Sequence, residues 1–150
     1  MLIAKNISIR KYLKDQLRLN IKDISFDLQL GSINSIVGES GIGKSTIASI
    51  LSGLLQPDGG IVYYRNKPVK QPFVPIAYVL QDYKSAVFPW LTVEENIKLA
   101  EYKPIKKTDL YQFNEIVDLL KISKILEEHS NHLSGGQIQR VQIARALLSG

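Results

Sequence analysis

The sequence predicts an α/β fold, with strands in front, a glycine-rich loop between a strand and a helix, and a mostly helical second half. Three observations carry this reading. Apolar residues fall at strand-like spacing over the first third of the chain, the run Gly38 to Ser45 sits where a strand pattern gives way to a helix pattern, and beyond Gln81 the apolar period changes from two to about three and a half.

Elements follow in order. Leu2 to Ile9 and Leu17 to Leu30 read as strands, the second with interrupted alternation. The apolar run Ile33-Asn34-Ser35-Ile36-Val37 reads as a third strand ending at Gly38. Lys44 to Leu54 places Ile47, Ala48, Ile50, Leu51 and Leu54 at helical spacing, and Pro57-Asp58-Gly59-Gly60 supplies the turn chemistry to stop it. A strand at Ile61 to Tyr64 follows, and Ile76-Ala77-Tyr78-Val79-Leu80 reads as a short buried strand. Thr92 with Glu95 three residues on forms a capping box for a helix to about Glu101. A second helix from Thr108 or Asp109 carries Phe113, Ile116, Val117 and Leu120, Ile122 to Glu128 forms a short third, and a last one begins near Gly136. No internal repeat or low-complexity tract interrupts this layout.

Composition bounds the class. At 150 residues the chain is one domain or a piece of one, and 45% hydrophobic with 22% charged residues suits a folded core. No apolar run approaches the roughly 20 residues that span a bilayer, and Met1-Leu2-Ile3-Ala4-Lys5-Asn6 lacks the pattern of a signal peptide. With no cysteine there is no disulfide framework, thiolate zinc site or cysteine nucleophile, and a cytoplasmic location is expected. The net charge of +5 includes a cluster at Lys98, Lys103, Lys106 and Lys107. These lysines lack the repeated interleaving of aromatics that a single-strand groove requires, so they read as a solvated face and nucleic acid is not an expected partner.

The chemistry lies in two motifs. Gly38-Glu39-Ser40-Gly41-Ile42-Gly43-Lys44-Ser45 satisfies G-x-x-x-x-G-K-[ST] in the strand-to-helix context that the pattern needs. Glycines at Gly38, Gly41 and Gly43, with Ser40 among them, let backbone N–H groups turn inward around a polyphosphate, and the helix N-terminus adds partial positive charge. Lys44 is then expected at the β- and γ-phosphates, Ser45 at Mg²⁺, and Thr46 at a further phosphate contact. An ordinary Gly-rich turn is the plain alternative, but a chance match in a chain this long is roughly one in a hundred or rarer. The second motif, Leu133-Ser134-Gly135-Gly136-Gln137, combines a hydroxyl, two glycines and a fresh helix N-terminus into another anion cradle.

That pentapeptide, followed by Arg140 and by Ala144-Arg145-Ala146-Leu147, resembles the signature region of ABC (ATP-binding cassette) ATPases, and the resemblance extends over essentially the whole chain. It implies a P-loop NTPase (RecA-like) core with N-terminal antiparallel strands and a helical subdomain insert. It implies residues 1–81 as a β-rich ATP-binding core, 82–135 as the helical subdomain and 136–150 as a signature helix returning to the core. Ser134, Gly135, Gly136 and Gln137 would face ATP bound to the P-loop of a second ATP-binding subunit, in a head-to-tail dimer, most simply a homodimer. Tyr12 stands where the family keeps a ring that stacks on adenine, the plain alternative being a half-buried aromatic at a strand end. Gln81 matches the family's glutamine that touches Mg²⁺ and the attacking water, against the alternative of a polar loop residue.

The same resemblance implies transmembrane permease subunits as partners, a solute-binding protein indirectly, and a peripheral position on the inner face of the cell membrane. The stretch Phe88-Pro89-Trp90-Leu91-Thr92-Val93 looks like importers of nitrate, sulfonate and taurine, and in the family it neighbours the groove for a coupling helix of the permease. Core packing is the plain alternative for these aromatics. In the family an apolar strand ending in Asp-Glu, then a switch histidine, follow the signature helix, so a longer natural protein is expected. Glu127, Glu128, His129 and His132 precede the signature and read as a solvated stretch rather than substitutes. The competing readings are a piece that holds nucleotide without turnover and a non-transport member such as a translation factor. A chromosome-maintenance ATPase would need sustained heptads between Thr46 and Leu133, and there are none.

Overall fold

The computed structural model describes residues 1–72, 76–82, 86–102 and 112–149. They belong to two compact units, Met1–Phe73 and Val74–Gly150, taken in turn.

The first unit is built on a four-stranded antiparallel sheet in the order β2-β1-β3-β4. Its strands are β1 (Leu2–Leu13), β2 (Gln16–Leu28), β3 (Gly59–Tyr64) and β4 (Lys67–Pro68). A two-residue turn joins the first pair, with Lys14 and Asp15 both at positive φ (48° and 60°) as a type I′ hairpin demands. Ala4, Ile7 and Ile9 all reach the core although Ala4 and Ile7 differ in parity, because the ladder slips between them. They pack with Ile21, Val62, Val69 and Ile50, the last from α1 (Lys44–Leu51).

The helix stops sooner than the turn residues at 57–60 suggest. Gly53 takes φ 78°, and a Cβ there would lie 2.5 Å from the carbonyl oxygen of Gln71. The left-handed residue and the close backbone approach together end α1 at Leu51.

Two expected strands are not formed. Residues 33–37 carry no ladder pairing, and Ile33 and Val37 are almost wholly exposed, at 103% and 90%. Residues 76–80 likewise join no strand, with Val79 and Leu80 exposed. The apolar bulk of these runs suits a strand, but a strand exists only with a partner, and the described residues offer none.

The second unit is helical. It holds α2 (Val93–Lys98), continued as a 3₁₀ turn over Leu99–Tyr102, α3 (Phe113–Leu119) and α4 (Gly135–Leu148), with 3₁₀ turns at Ser123–Ile125 and Ser130–His132. Its core gathers Val87, Val93, Ile97, Ile116, Val117, Ile122, Leu133, Ile138, Val141 and Ala144. The capping box stands as read: Glu95 N–H donates to Thr92 Oγ1 at 3.2 Å and Thr92 N–H to Glu95 Oε2 at 2.8 Å. Lys98 pairs with Glu94 one turn away. The remaining lysines of the basic cluster, and the expected helix start at 108 or 109, lie outside the described residues.

A buried polar knot joins α2 to α4. Asn96, fully buried, accepts at Oδ1 from Phe88 N–H at 2.8 Å, and its Nδ2 donates to the carbonyls of Phe88 and Thr92, each at 3.0 Å. Arg145 donates from Nε to Asn96 O at 2.9 Å, from Nη2 to Asn96 Oδ1 at 2.9 Å and from Nη1 to Ala86 O at 2.7 Å. Burial pushes the guanidinium pKa down from its ordinary value. Buried polar groups are tolerated when their hydrogen bonds are made, and nearly all of these are.

Candidate functional site

The loop between Gly38 and Gly43 is closed by its own lysine. Lys44, the first residue of α1, turns its Nζ back to donate to the carbonyls of Gly38 at 2.8 Å and Glu39 at 2.7 Å. Gly41 and Gly43 adopt φ 82° and 109°, values that glycine takes at no steric cost. Gly43 has a second requirement, since a Cβ there would sit 2.8 Å from Ile21 Cδ1 and 2.9 Å from Leu19 Cδ1. As N-cap it offers no side-chain acceptor, and no acidic residue lies in the first turn. Among the described residues the first N–H groups of α1 therefore have no side-chain cap at the positive end of the helix, which is the requirement of an anion cradle.

Ser45 and Thr46 follow in that first turn, Ser45 exposed and Thr46 partly so. Lys11 Nζ lies 3.5 Å from Thr46 Oγ1. Tyr12 is 60% exposed on β1, paired with Leu17 of β2, so its ring is free to offer a face. These residues, with Ser40 and the glycines, all belong to the first unit.

Ser45 suits Mg²⁺ as one hard-oxygen ligand, because its exposed hydroxyl makes no hydrogen bond among the described residues. Among the described residues no three His, Asp or Glu side chains cluster to hold a metal.

The second motif opens α4 in the second unit. Ser134 is the N-cap: its Oγ accepts from Gln137 N–H at 3.4 Å while Ser134 N–H donates to Gln137 Oε1 at 2.7 Å. Ser134 and Gln137 thus fix the start of their own helix. Gly135 is its first residue, and around Gly136 a Cβ would meet no atom within 4 Å. Packing within the chain does not require glycine at 136, in contrast to Gly43.

Gln81 is also in the second unit and exposed. The residue before it is anchored, since Leu80 N–H donates to Gln142 Oε1 of α4 at 3.1 Å. Gln142 is buried, and its Nε2 has no hydrogen-bond partner among the described residues. Sequence reasoning passed over Asn96, Gln142 and Lys11, and saw Arg145 only as part of a motif. A polar residue on an otherwise apolar helix face was the available signal at 142 and 145.

Phe88 and Trp90 sit 5.3 Å apart between ring centroids, tilted by 58°. Trp90 is 69% exposed, so core packing does not account for it, and Phe88 is 42% exposed beneath the Arg145 guanidinium.

A cradle of backbone N–H groups with an inturned lysine, on an α/β unit, defines a P-loop protein. The pattern of the family described as ABC transporter matches residues 21–150, and the chain belongs to that family. Its fold is that of solved ATP-binding cassettes. It superposes on the dimeric post-hydrolysis cassette MJ0796 bound to ADP and Pi with a TM-score of 0.81 at 28% identity, covering 99% of this chain and 70% of that one. A nucleotide-free ATP-binding cassette from an ABC transporter gives 0.76 at 28% identity, covering 99% and 65%.

Among curated relatives, the bicarbonate transport ATP-binding protein CmpC of Synechocystis sp. is 36% identical over 131 residues, covering 85% of this chain and 19% of that protein. The probable sulfate/thiosulfate import ATP-binding protein CysA of Chlorella vulgaris is 37% identical, covering 83% and 54%. The nitrate import ATP-binding protein NrtC of Synechococcus elongatus is 33% identical, covering 85% and 20%. The chain therefore spans between about a fifth and about half of these relatives.

Proposed function

We propose that the chain provides the ATP site of a subunit that binds and hydrolyses ATP to drive uptake of a small anion through membrane partners. The observation that carries this reading is the closed loop, with Lys44 turned onto the carbonyls of Gly38 and Glu39 beside the uncapped start of α1. An ammonium and a row of free N–H groups together match the charge and shape of a triphosphate end.

In this reading Gly38, Ser40, Gly41 and Gly43 wrap the phosphates with backbone N–H groups, Lys44 neutralises charge at the β- and γ-oxygens, and Thr46 adds a hydroxyl contact. Tyr12 stacks on adenine. Ser45 would serve as a ligand of Mg²⁺, and on the family resemblance Gln81 would be another; the ion would supply charge neutralisation on the phosphates when bound. Gln81 also orients the water whose oxygen attacks the γ-phosphorus as the bond to the β-bridging oxygen breaks, giving ADP and inorganic phosphate. Such catalysis is mostly positioning and electrostatic clamping.

Ser134, Gly135, Gly136 and Gln137 act across a head-to-tail dimer on ATP held by the partner subunit. The open space at Gly136 supports this, since a backbone that must approach a phosphate cannot carry a side chain toward it. The residue ranges 1–81, 82–135 and 136–150 remain our proposed division into ATP core, helical subdomain and signature helix. Permease subunits at the inner face of the cell membrane are the proposed partners, with a solute-binding protein acting through them. The relatives' names all refer to small inorganic anions, which supports that class of cargo.

The test is calorimetric ATP binding and phosphate release by the purified protein beside Lys44→Ala. ATP affinity that is unchanged in Lys44→Ala removes the reading.

A further inference from the structure

The geometry points to Lys11 as a second cation of the same cradle, contacting the phosphate chain from the β1–β2 hairpin. The inference rests on the nucleotide reading of the loop and adds a residue to it.

Position comes first. Lys11 pairs across the hairpin with Leu19, and Leu19 Cδ1 lies 2.9 Å from where a Cβ on Gly43 would be. The Lys11–Leu19 rung is thereby laid against the first turn of α1. Lys11 itself is exposed, yet its Nζ comes to 3.5 Å from Thr46 Oγ1, a long contact for a hydrogen bond. A phosphate oxygen accepting a hydrogen bond from the Thr46 hydroxyl would thus come within reach of Nζ as well.

Charge points the same way. Among the described residues Lys11 has no ion-pair partner, whereas Lys98 is matched by Glu94. Its distance to Thr46 is too long, and the hydroxyl too weak an acceptor, to satisfy an ammonium with three N–H donors. Lys44 is already tied to two carbonyls, so a second, unmatched cation at the far side of the first turn complements a polyanion that one ammonium cannot neutralise.

The experiment is calorimetry of the purified protein with Mg-ATP and with inorganic triphosphate, for the parent, Lys11→Met, Lys11→Arg, Lys14→Met and Lys44→Ala. Lys11→Met is expected to weaken both ligands about five- to twenty-fold, the range of a charge-assisted hydrogen bond discounted for exposure. Lys11→Arg should recover most of that loss, and Lys14→Met should change affinity less than about two-fold. Unchanged affinity in Lys11→Met alongside a large loss in Lys44→Ala overturns the role of Lys11 and leaves the cradle standing. An equal loss in Lys11→Met and Lys11→Arg marks a packing effect and also overturns it. No loss in Lys44→Ala would instead remove the nucleotide reading itself.

Discussion

Arg145 holds Asn96 by two separate hydrogen bonds, Nε to the backbone oxygen and Nη2 to the side-chain Oδ1, each at 2.9 Å. Through Asn96, the helix that begins at the second glycine motif is tied to the loop bearing Phe88 and Trp90.

Removing either partner leaves buried donors or acceptors unmet. Asn96→Ala is expected to destabilise the fold by about 2–4 kcal/mol, and Arg145→Lys, which loses the planar fork, by about 1–3 kcal/mol. Urea unfolding followed by far-ultraviolet circular dichroism checks both. A cost below about 0.5 kcal/mol for Asn96→Ala would show the knot to be dispensable.

The glycines of the two motifs separate fold from function. Gly43→Ala meets both a left-handed φ of 109° and the Ile21 and Leu19 methyls, so a loss of about 1–3 kcal/mol is expected together with weaker nucleotide binding. Gly136→Ala meets open space inside a helix and should raise stability by about 0.5–1 kcal/mol. On the proposed function, the same change lowers ATP-dependent dimerisation, measured by light scattering. An unaltered dimer would detach Gly136 from that role.

Glu95 sets a pH limit on α2. Its carboxylate accepts hydrogen bonds from the Thr92 backbone and side chain, which hold its pKa below 4.5, and His129 adds a smaller attraction. A carboxyl with a lowered folded-state pKa stabilises the fold above its unfolded value and loses that contribution as pH falls through the folded one. Melting temperatures of the parent and Glu95→Gln should therefore differ most above pH 4.5 and converge below it. A difference that is constant from pH 3 to 7 would contradict the assignment.

Trp90 is the single tryptophan and 69% exposed. Its fluorescence should be readily quenched by acrylamide in the isolated protein and should shift to shorter wavelength when a permease partner covers it. Persistent quenching in an assembled transporter would place the contact elsewhere.

What the sequence revealed was local. The box at Thr92 and Glu95 needs residues three apart, and the loop from Gly38 to Lys44 needs only its own glycines and lysine, so spacing alone exposed them. The Asn96–Arg145 knot spans 49 positions, and no local pattern announces it. Residues 33–37 and 76–80 misled for the opposite reason: their apolar bulk suits a strand, but pairing depends on what lies alongside. The early stop of α1 came from Gly53 meeting the Gln71 backbone, a contact between segments that no window over the helix includes.

The hold of Lys44 on Gly38 and Glu39 has a consequence for how fast and how tightly the loop takes up an anion. Ordering a free lysine side chain costs up to about 2 kcal/mol in rotamer entropy. Here that cost is incurred when the loop folds, and an arriving anion finds the ammonium already in place and has only to exchange acceptors with two carbonyls.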